Sequence, residues 1–360
     1  MIPPAKPLLG KEEEETVIEV LRSGMLAAGS WVREFEDAFG KYNHSRNAVA
    51  TSSGTTALHV MLEALNIGAG DKVFVTAFSF IASANAILYT GATPVFVDID
   101  PVSCNLSPAE LEKAILKNPG ARAVLVVHLF GQPADMAEIM RLARKHNLIV
   151  LEDCAQAIGA EYRGQKVGTF GEAAAFSFYP TKNITTGEGG IVLTDNPAVA
   201  EKIRVLVNQG QRRRYYHETV GYNYRMTNIH AAIGVQQLKK LELFNRARRE
   251  HARFYDRTIT NPFIRKPEAL SDRTHVYHQY TLRVSNRENF ARHLTASGIG
   301  YGIHYPLTIP AQTPYRTLAA GSGTWPAAEK LAESCLSIPV HPSLSHNELL
   351  TVVEAINQFR

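Results

Sequence analysis

Lys182 is the residue whose surroundings in the sequence most clearly suggest covalent chemistry. It lies in the segment FSFYPTKNITTGEGG (176–190), with Ser177 before it and threonines and glycines after it. A lysine held in a confined crevice can lose its proton, form an imine with an aldehyde and then act as a general base. A lone lysine in a glycine-rich loop is more often simply solvated. The GxxxxGK[ST] order of a P-loop is absent, which argues against an NTPase.

A second feature, SSGTTAL (52–58), has the pattern of an anion-binding helix start. The free amides of a helix N-terminus attract anions, Gly54 permits close approach, and Ser53, Thr55 and Thr56 add hydroxyl donors. The same residues could also be an ordinary Ser/Thr cap. Because a helix terminus contributes only about 0.3–2 kcal/mol, we expect a bound phosphate to have further ligands.

Asp153 ends the predicted strand LIVLED (148–153), where open α/β sheets place ligand-contacting residues, so we expect its side chain to be exposed to a crevice. One partner for such an acid would be the ring nitrogen of a bound aromatic cofactor of the pyridine type. A carboxylate about 4 Å from that nitrogen contributes about 4 kcal/mol at an effective dielectric near 20, enough to keep the nitrogen protonated. Glu152 is the competing acid, but side chains alternate along a strand, so only one of the two can face the site. Taken alone, Asp153 could be a helix cap or a solvated acid.

The fourth feature is the polar and aromatic segment GYNYRMT (221–227), which contains Asn223 and Arg225. Taken alone, it is a turn followed by a helix start.

Apolar, β-branched runs alternate with helical patterns in the first half of the chain, which predicts an α/β layered sheet. Helix is predicted over 108–117, where Ser107 precedes a proline. The last two predicted strands flank the Lys182 loop and should be neighbours. The predicted strands are 72–77, 93–99, 122–131, 148–153, 173–178 and 190–195.

A long helix is predicted over 227–257 and should connect two domains, a large one over 1–245 and a small one over 246–360. In the small domain, YHQYTLRV (277–284), an amphipathic stretch near 287–297 and GIGYGIHYP (298–306) are expected to form a βαβ-like unit.

The composition excludes several classes of protein. The 360 residues are 45% hydrophobic and 20% charged, as in an ordinary globular protein, and the net charge of +4 is too small to predict nucleic-acid binding. The clustered Arg212–Arg214 would suit an anionic small molecule equally well. The three cysteines lack metal-ligand spacing, so no metal site is predicted. No signal peptide or apolar run of about 20 residues is found, and we expect a cytoplasmic protein without a membrane span.

Assembled in this order, the four features make the sequence resemble the DegT/DnrJ/EryC1/StrS family of sugar aminotransferases, which are fold type I enzymes that use pyridoxal 5'-phosphate (PLP). The resemblance covers nearly the whole chain. It implies a large PLP-binding domain with a mostly parallel central sheet flanked by helices, and a smaller C-terminal α/β domain. It is carried by SSGTTAL, VTAFSFIASANAI (75–87), GATPVFVDID (91–100), EDCAQAIGA (152–160), SFYPTKNITTGEGG (177–190) and GYNYRMTNIHAAIG (221–234).

The resemblance also implies roles for individual residues. Lys182 matches the Schiff-base lysine, Asp153 matches the partner of the pyridine nitrogen, and Gln156 matches a contact to the cofactor's phenolic oxygen. The other implied cofactor contacts are Gly54, Thr55, Phe80, Ser177 and, from the neighbouring subunit of a homodimer, Asn223. The implied substrate contacts are Tyr179, Asn183, Arg225, His304 and Tyr305. Without the resemblance, Phe80 could be a core phenylalanine, and the last two could be ordinary packing residues.

The activity that the resemblance implies is transfer of an amino group from glutamate to a nucleotide-linked 3-keto or 4-keto sugar, in ping-pong order. One family branch replaces the lysine by histidine and dehydrates its substrate, and Lys182 places this chain outside that branch. Two alternatives stay open. The acceptor could be a cyclic ketone without a nucleotide, such as a keto-inositol, or the chain could bind PLP without turnover and act as a regulator.

Overall fold

The computed structural model describes residues 1–318 and 323–360. The helices are α1 (Lys11–Ser23), α2 (Ser30–Asn43), α3 (Gly54–Ala64), α4 (Ala82–Tyr89), α5 (Pro108–Lys117), α6 (Met136–His146), α7 (Pro197–Val207), α8 (Asn228–Thr258), α9 (Arg287–Ala296), α10 (Thr313–Arg316), α11 (Pro326–Ser334) and α12 (His346–Gln358). The strands are β1 (Asn47–Thr51), β2 (Lys72–Thr76), β3 (Thr93–Val97), β4 (Ala123–Val127), β5 (Ile149–Asp153), β6 (Glu161–Tyr162), β7 (Gln165–Lys166), β8 (Ala173–Ser177), β9 (Gly190–Thr194), β10 (Gln211–Arg213), β11 (Tyr216–His217), β12 (Ile264–Arg265), β13 (Arg273–Thr274), β14 (Tyr280–Val284) and β15 (Cys335–Ile338).

A seven-stranded sheet in the order β1-β9-β8-β5-β4-β2-β3 forms the centre of the large domain. All of its neighbouring pairs are parallel except the two that involve β9. Helices cover both faces, and the strands are almost fully buried, which explains why they appear in the sequence as continuous apolar runs. The predicted α/β fold with a mostly parallel central sheet is confirmed.

The predicted strands of the sheet all exist, and each is shorter than its apolar run by one to five residues. The neighbouring pair around the Lys182 loop is β8 and β9, which pair antiparallel. Helix α5 occupies the predicted span, and the Ser107 hydroxyl accepts a hydrogen bond from the amide of Glu110 (3.4 Å). The long helix α8 differs by one residue from its prediction and is continuous across the predicted domain boundary at 245, which stays a prediction.

The predicted βαβ-like unit in the C-terminal region is wrong. The small sheet has the order β12-β14-β15, and both of its pairs are antiparallel. Residues 298–306 form only isolated bridges, with Ile2 on one side and Ser337 on the other. Three glycines weaken strand formation in that segment, and the short run 335–338 supplies the third strand instead.

Glu152 and Asp153 point to opposite sides of β5, as strand alternation requires. The Glu152 carboxylate is fully buried and accepts hydrogen bonds from the amides of Gly168 (2.7 Å), Phe170 (2.8 Å) and Gly171 (2.9 Å). Oε2 of Glu152, which accepts from Gly168, also lies 3.0 Å from Nε2 of His128. Glu152 therefore anchors the turn between β7 and β8, and Asp153 is the acid that faces the other side.

Within residues 1–318 and 323–360, no helix combines the length and the apolar character that a membrane span requires.

Candidate active site

A cavity of about 620 Å³ lies at the carboxyl ends of β4, β5 and β8. Two segments from the C-terminal region close it and contribute His278, Gln279, His304 and Tyr305. Its volume falls within the range of about 300–1,000 Å³ that is typical of small-molecule sites. The predicted site residues that line it are Gly54, Thr55, Phe80, Asp153, Gln156, Ser177, Tyr179, Lys182, His304 and Tyr305.

Lys182 enters the cavity from the loop between β8 and β9. Its amide donates to the carbonyl of Tyr179 (2.9 Å), which tightens the turn that carries it. Burial lowers the pKa of the Lys182 amine to about 8, although the nearby Asp153 carboxylate acts in the opposite direction. Roughly one amine in ten is then uncharged at pH 7, against fewer than one in a thousand for an unperturbed lysine. The uncharged amine is the form that attacks a carbonyl.

The start of α3 combines a helix cap with an open anion-binding site. The Ser53 hydroxyl accepts from the amide of Thr56 (3.2 Å), so these two residues serve as the cap. Within the described residues, the amides of Gly54 and Thr55 have no partner and remain free for an anion. A Cβ atom at Gly54 would lie 2.6 Å from Cβ of Ser177, so only glycine allows α3 to approach the end of β8 this closely. This close packing of α3 against β8 brings the Ser177 hydroxyl to the same anion-binding site.

Asp153 lines the cavity, but its side chain is buried rather than exposed as expected, with 5% of its surface accessible. One reason is that Ser83, in the first turn of α4, lies against the carboxylate. Oδ2 of Asp153 accepts a hydrogen bond from the Ser83 hydroxyl (2.7 Å), and Oδ1 accepts one from the amide of Ala155 (3.1 Å). The carboxylate is thus held in one orientation at the cavity wall.

Gln156 and Tyr305 join the large domain to the C-terminal region. Oε1 of Gln156 accepts from the amide of Phe130 (2.8 Å), and Nε2 donates to the Tyr305 hydroxyl (3.2 Å). Burial raises the pKa of Tyr305, so the phenol stays protonated at neutral pH. Phe80 is 54% exposed on the cavity wall, which excludes the alternative that it is a core phenylalanine.

Three predicted site residues do not line this cavity. Asn183 is buried, and its Nδ2 donates to Oδ1 of Asn245 (2.7 Å) and to the carbonyl of Val276 (3.0 Å). Its assignment as a substrate contact is therefore wrong for this geometry, because the side chain holds the loop to α8. Asn223 is exposed, and Arg225 donates to Oδ1 of Asn208 (2.7 Å), both outside the cavity of their own chain.

Several cavity residues were not identified from the sequence: Ser79, Ser83, Thr181, Glu188, His278 and Gln279. His278 was placed in a predicted strand, but β14 begins only at Tyr280, so His278 and Gln279 lie on the loop before it. Burial lowers the pKa of His278 well below its usual value and that of His304 to about 4, so both rings are neutral at pH 7. Nδ1 of His278 is buried and has no hydrogen-bond partner within the described residues.

Comparison with known proteins identifies the family. The model of the DegT/DnrJ/EryC1/StrS aminotransferase family matches residues 7–357. This chain belongs to that family. It is 39% identical to a pleiotropic regulatory protein of Geobacillus stearothermophilus, over 95% of this chain and 92% of that protein. It is also 39% identical to the UDP-N-acetyl-3-dehydro-alpha-D-glucosamine 3-aminotransferase of Acidithiobacillus ferrooxidans, over 94% and 91% of the two chains.

Solved structures agree with this assignment. The crystal structure of DesV from S. venezuelae matches with a TM-score of 0.93 and 38% identity, and the match covers 99% of this chain and 98% of that chain. Membership in an aminotransferase family implies PLP as the cofactor.

The cavity fits PLP by the chemistry of its polar groups. Free amides and a serine hydroxyl at the start of α3 suit a phosphate, and a buried carboxylate on β5 suits a protonated ring nitrogen. Lys182 offers an amine with a lowered pKa in the same cavity. The exposed ring of Phe80 provides a flat apolar surface for an aromatic ligand.

The electrostatics of Lys182 give a testable expectation for the cofactor-free protein. Competitive acetylation followed by peptide mass spectrometry should label Lys182 with a pH midpoint near 8. An ordinary lysine titrates near 10.4. Substituting Asp153→Asn removes the carboxylate that raises the Lys182 pKa, so the midpoint should move to lower pH.

A remote carboxylate provides the control for this experiment. Glu112 is partly exposed and pairs with Lys145 at 3.4 Å, so Glu112→Gln should leave the Lys182 midpoint unchanged. A midpoint that stays the same or rises in Asp153→Asn would contradict the electrostatic description of the cavity.

Proposed function

We propose that this protein transfers an amino group from glutamate to a nucleotide-linked keto sugar and uses PLP bound in the cavity around Lys182. The observation that carries the proposal is the convergence of three groups in one cavity. These are a lysine with a pKa of about 8, a buried carboxylate, and an open helix N-terminus. Together they match the amine, ring-nitrogen and phosphate contacts that PLP requires.

Each predicted cofactor residue has a distinct task in this proposal. The amides of Gly54 and Thr55 and the Ser177 hydroxyl would bind the phosphate, and Phe80 would provide an apolar surface for the ring. Bound PLP supplies an electron sink for the carbanion formed at the substrate's α-carbon. Asp153 keeps the ring nitrogen protonated through a carboxylate that is itself fixed by two hydrogen bonds.

Lys182 would hold the cofactor through its amine, and the same amine would move the proton at the reacting carbon. Its lowered pKa allows the amine to accept that proton and return it within the same turnover. His304 and Tyr305 border the same space. At neutral pH the His304 ring is uncharged and has one N–H, and the Tyr305 phenol keeps its proton, so both can donate hydrogen bonds to substrate oxygens.

A nucleotide-linked substrate is supported by the names of the relatives, and the cavity shows what the binding of such a substrate would still require. The name of the A. ferrooxidans relative specifies a UDP-linked 3-keto sugar. Among the described residues that line the cavity, Lys182 is the single lysine or arginine. A diphosphate therefore needs cations from elsewhere.

A second copy of the chain could supply those cations, which is why we propose a homodimer with shared sites. Arg212–Arg214 lie on the exposed hairpin β10–β11. This hairpin also exposes 76% of Tyr215 and 62% of Tyr216, which favours its burial against another surface. Asn223 and Arg225 follow on the same segment and also lie outside their own cavity.

Separated half-reactions test the proposed activity. Glutamate should change the absorbance of the PLP-loaded protein and release one equivalent of 2-oxoglutarate per site, and Lys182→Ala should abolish both effects. The glutamate-treated protein should then be restored by a UDP-, dTDP- or GDP-linked keto sugar. Lys113→Ala, which removes an exposed lysine paired with Glu110 at 2.8 Å, serves as the control and should behave as wild type.

The alternative functions predict different results in the same assay. Restoration by scyllo-inosose and by none of the nucleotide sugars would favour the keto-inositol reaction. A spectrum that never responds to glutamate would favour a PLP-binding regulator, a reading consistent with the name of the Geobacillus relative.

Shared sites can be tested by mixing two inactive chains. We expect Lys182→Ala and Asn223→Asp each to be inactive as homodimers, the second because an added carboxylate repels the phosphate. A hybrid dimer of the two should recover activity at one site, which contains Lys182 from one chain and Asn223 from the other. No recovery in purified hybrids would mean that each chain completes its own site.

A further inference from the structure

The Asp153 carboxylate is held by a pair of serines from the segment before and within α4. Ser83, in the first turn of α4, donates its hydroxyl proton to Oδ2 of Asp153 at 2.7 Å. Ser79 lies just before the helix, and its hydroxyl oxygen is 3.2 Å from that of Ser83. All three side chains line the cavity, and each exposes 5% or less of its surface. The three groups thus form a buried hydrogen-bonded chain at the cavity wall.

The direction of this chain follows from the number of protons. A hydroxyl has one proton to donate, and that of Ser83 goes to the carboxylate, which can only accept. Ser79 must therefore donate to Ser83 when the two hydroxyls bond. Successive hydrogen bonds of this kind polarise one another, so the Ser79 hydroxyl strengthens the bond that Ser83 makes to Asp153.

Backbone hydrogen bonds fix the turn that carries the two serines. The amide of Ser83 donates to the carbonyl of Phe80 (3.2 Å), and the carbonyl of Ala77 accepts from the amide of Ile309 (2.9 Å), so the turn before α4 is held at both ends. Phe80, on the same turn, forms part of the cavity wall. One short segment therefore places a ring surface and a hydroxyl donor at the same site.

A hydrogen bond to a carboxylate delocalises its charge and makes it a weaker base. In a buried site this effect is larger than in water, because little solvent competes for the carboxylate. Next to a pyridine nitrogen, a weaker carboxylate base leaves the shared proton on the nitrogen. Without the hydroxyl, the proton would move toward the carboxylate, and the ring would lose its positive charge.

We propose that Ser83, supported by Ser79, is a positioning residue that orients the Asp153 carboxylate and keeps the proton on the cofactor's ring nitrogen. The inference rests on the proposed function, because it requires that PLP binds with its ring nitrogen against Asp153. A purely structural role would be to tie α4 to β5. The two roles differ in their effect on the ring nitrogen, which a structural bond alone would not alter.

The test uses the full-length protein loaded with PLP that carries ¹⁵N in its ring. In wild type, the nitrogen resonance should have the position of a protonated pyridine across neutral pH. In Ser83→Ala, it should move toward the unprotonated position. PLP should also bind roughly 10-fold more weakly, because the Asp153 carboxylate is no longer held in one orientation before the cofactor binds. Ser79→Ala should shift the resonance in the same direction by a smaller amount.

Two further variants separate the proposal from a general loss of stability. Ser83→Thr retains the hydroxyl and should restore the wild-type resonance. Ser103 makes an equivalent serine-to-aspartate bond to Asp100 (2.9 Å) outside the cavity, so Ser103→Ala is the matched control. It should leave the ring resonance and the PLP affinity unchanged.

The possible failures are distinguishable. If wild type binds no PLP, or holds it with an unprotonated ring, the proposed function and this inference both fail. If wild type shows the protonated ring and folded Ser83→Ala shows the same resonance, the inference alone is overturned, and the serines only connect α4 to β5. An effect of Ser103→Ala as large as that of Ser83→Ala would also overturn it.

Discussion

The shielding of Lys182 from water, which is partial, is the constraint on which the proposed chemistry of the cavity depends. An amine with an ordinary pKa would be charged almost completely at neutral pH and could not attack a carbonyl. Burial lowers the pKa to about 8, while Asp153 limits the shift by attracting the charged form. The balance leaves an amine that can exist in both protonation states near neutral pH, which a group that must give and take a proton requires.

Closure of the cavity depends on contacts between distant parts of the chain. The large domain provides the strand ends and the start of α3, but it does not cover Lys182. His278 can reach the cavity because residue 131 is a glycine. Gly131 has a φ of +101°, and the Cβ atom of any other residue there would lie only 2.8 Å from the amide nitrogen of His278. The link from Gln156 to Tyr305 closes a second side. These contacts exclude solvent and thereby produce the lowered pKa.

The sequence predicted the parts of this arrangement that depend on local patterns. Strand ends of an open parallel sheet meet at one edge, so Asp153 could be placed in the site from its position alone, whereas Ser177 was assigned from the family resemblance. The C-terminal region was harder, because short antiparallel strands in a small sheet have weak patterns. The glycine-containing segment 298–306 looked like a strand, and 335–338 was overlooked. His278 and Ser83 could not be identified as cavity residues, because their places depend on packing between elements that are distant in the sequence. Asn183 shows the opposite error, since a polar residue next to a catalytic lysine can turn inward to hold the loop.

Trapping of PLP on the protein tests the central claim most directly. The cofactor-free protein would be incubated with PLP, reduced with borohydride to make any lysine adduct permanent, digested and mapped by mass spectrometry. The account predicts that the stable modification is found on Lys182 at about one per chain, and that Lys182→Ala shows none at comparable PLP concentration. Modification that is spread over surface lysines, or that is directed to another single lysine, would contradict the assignment of this cavity as the active site.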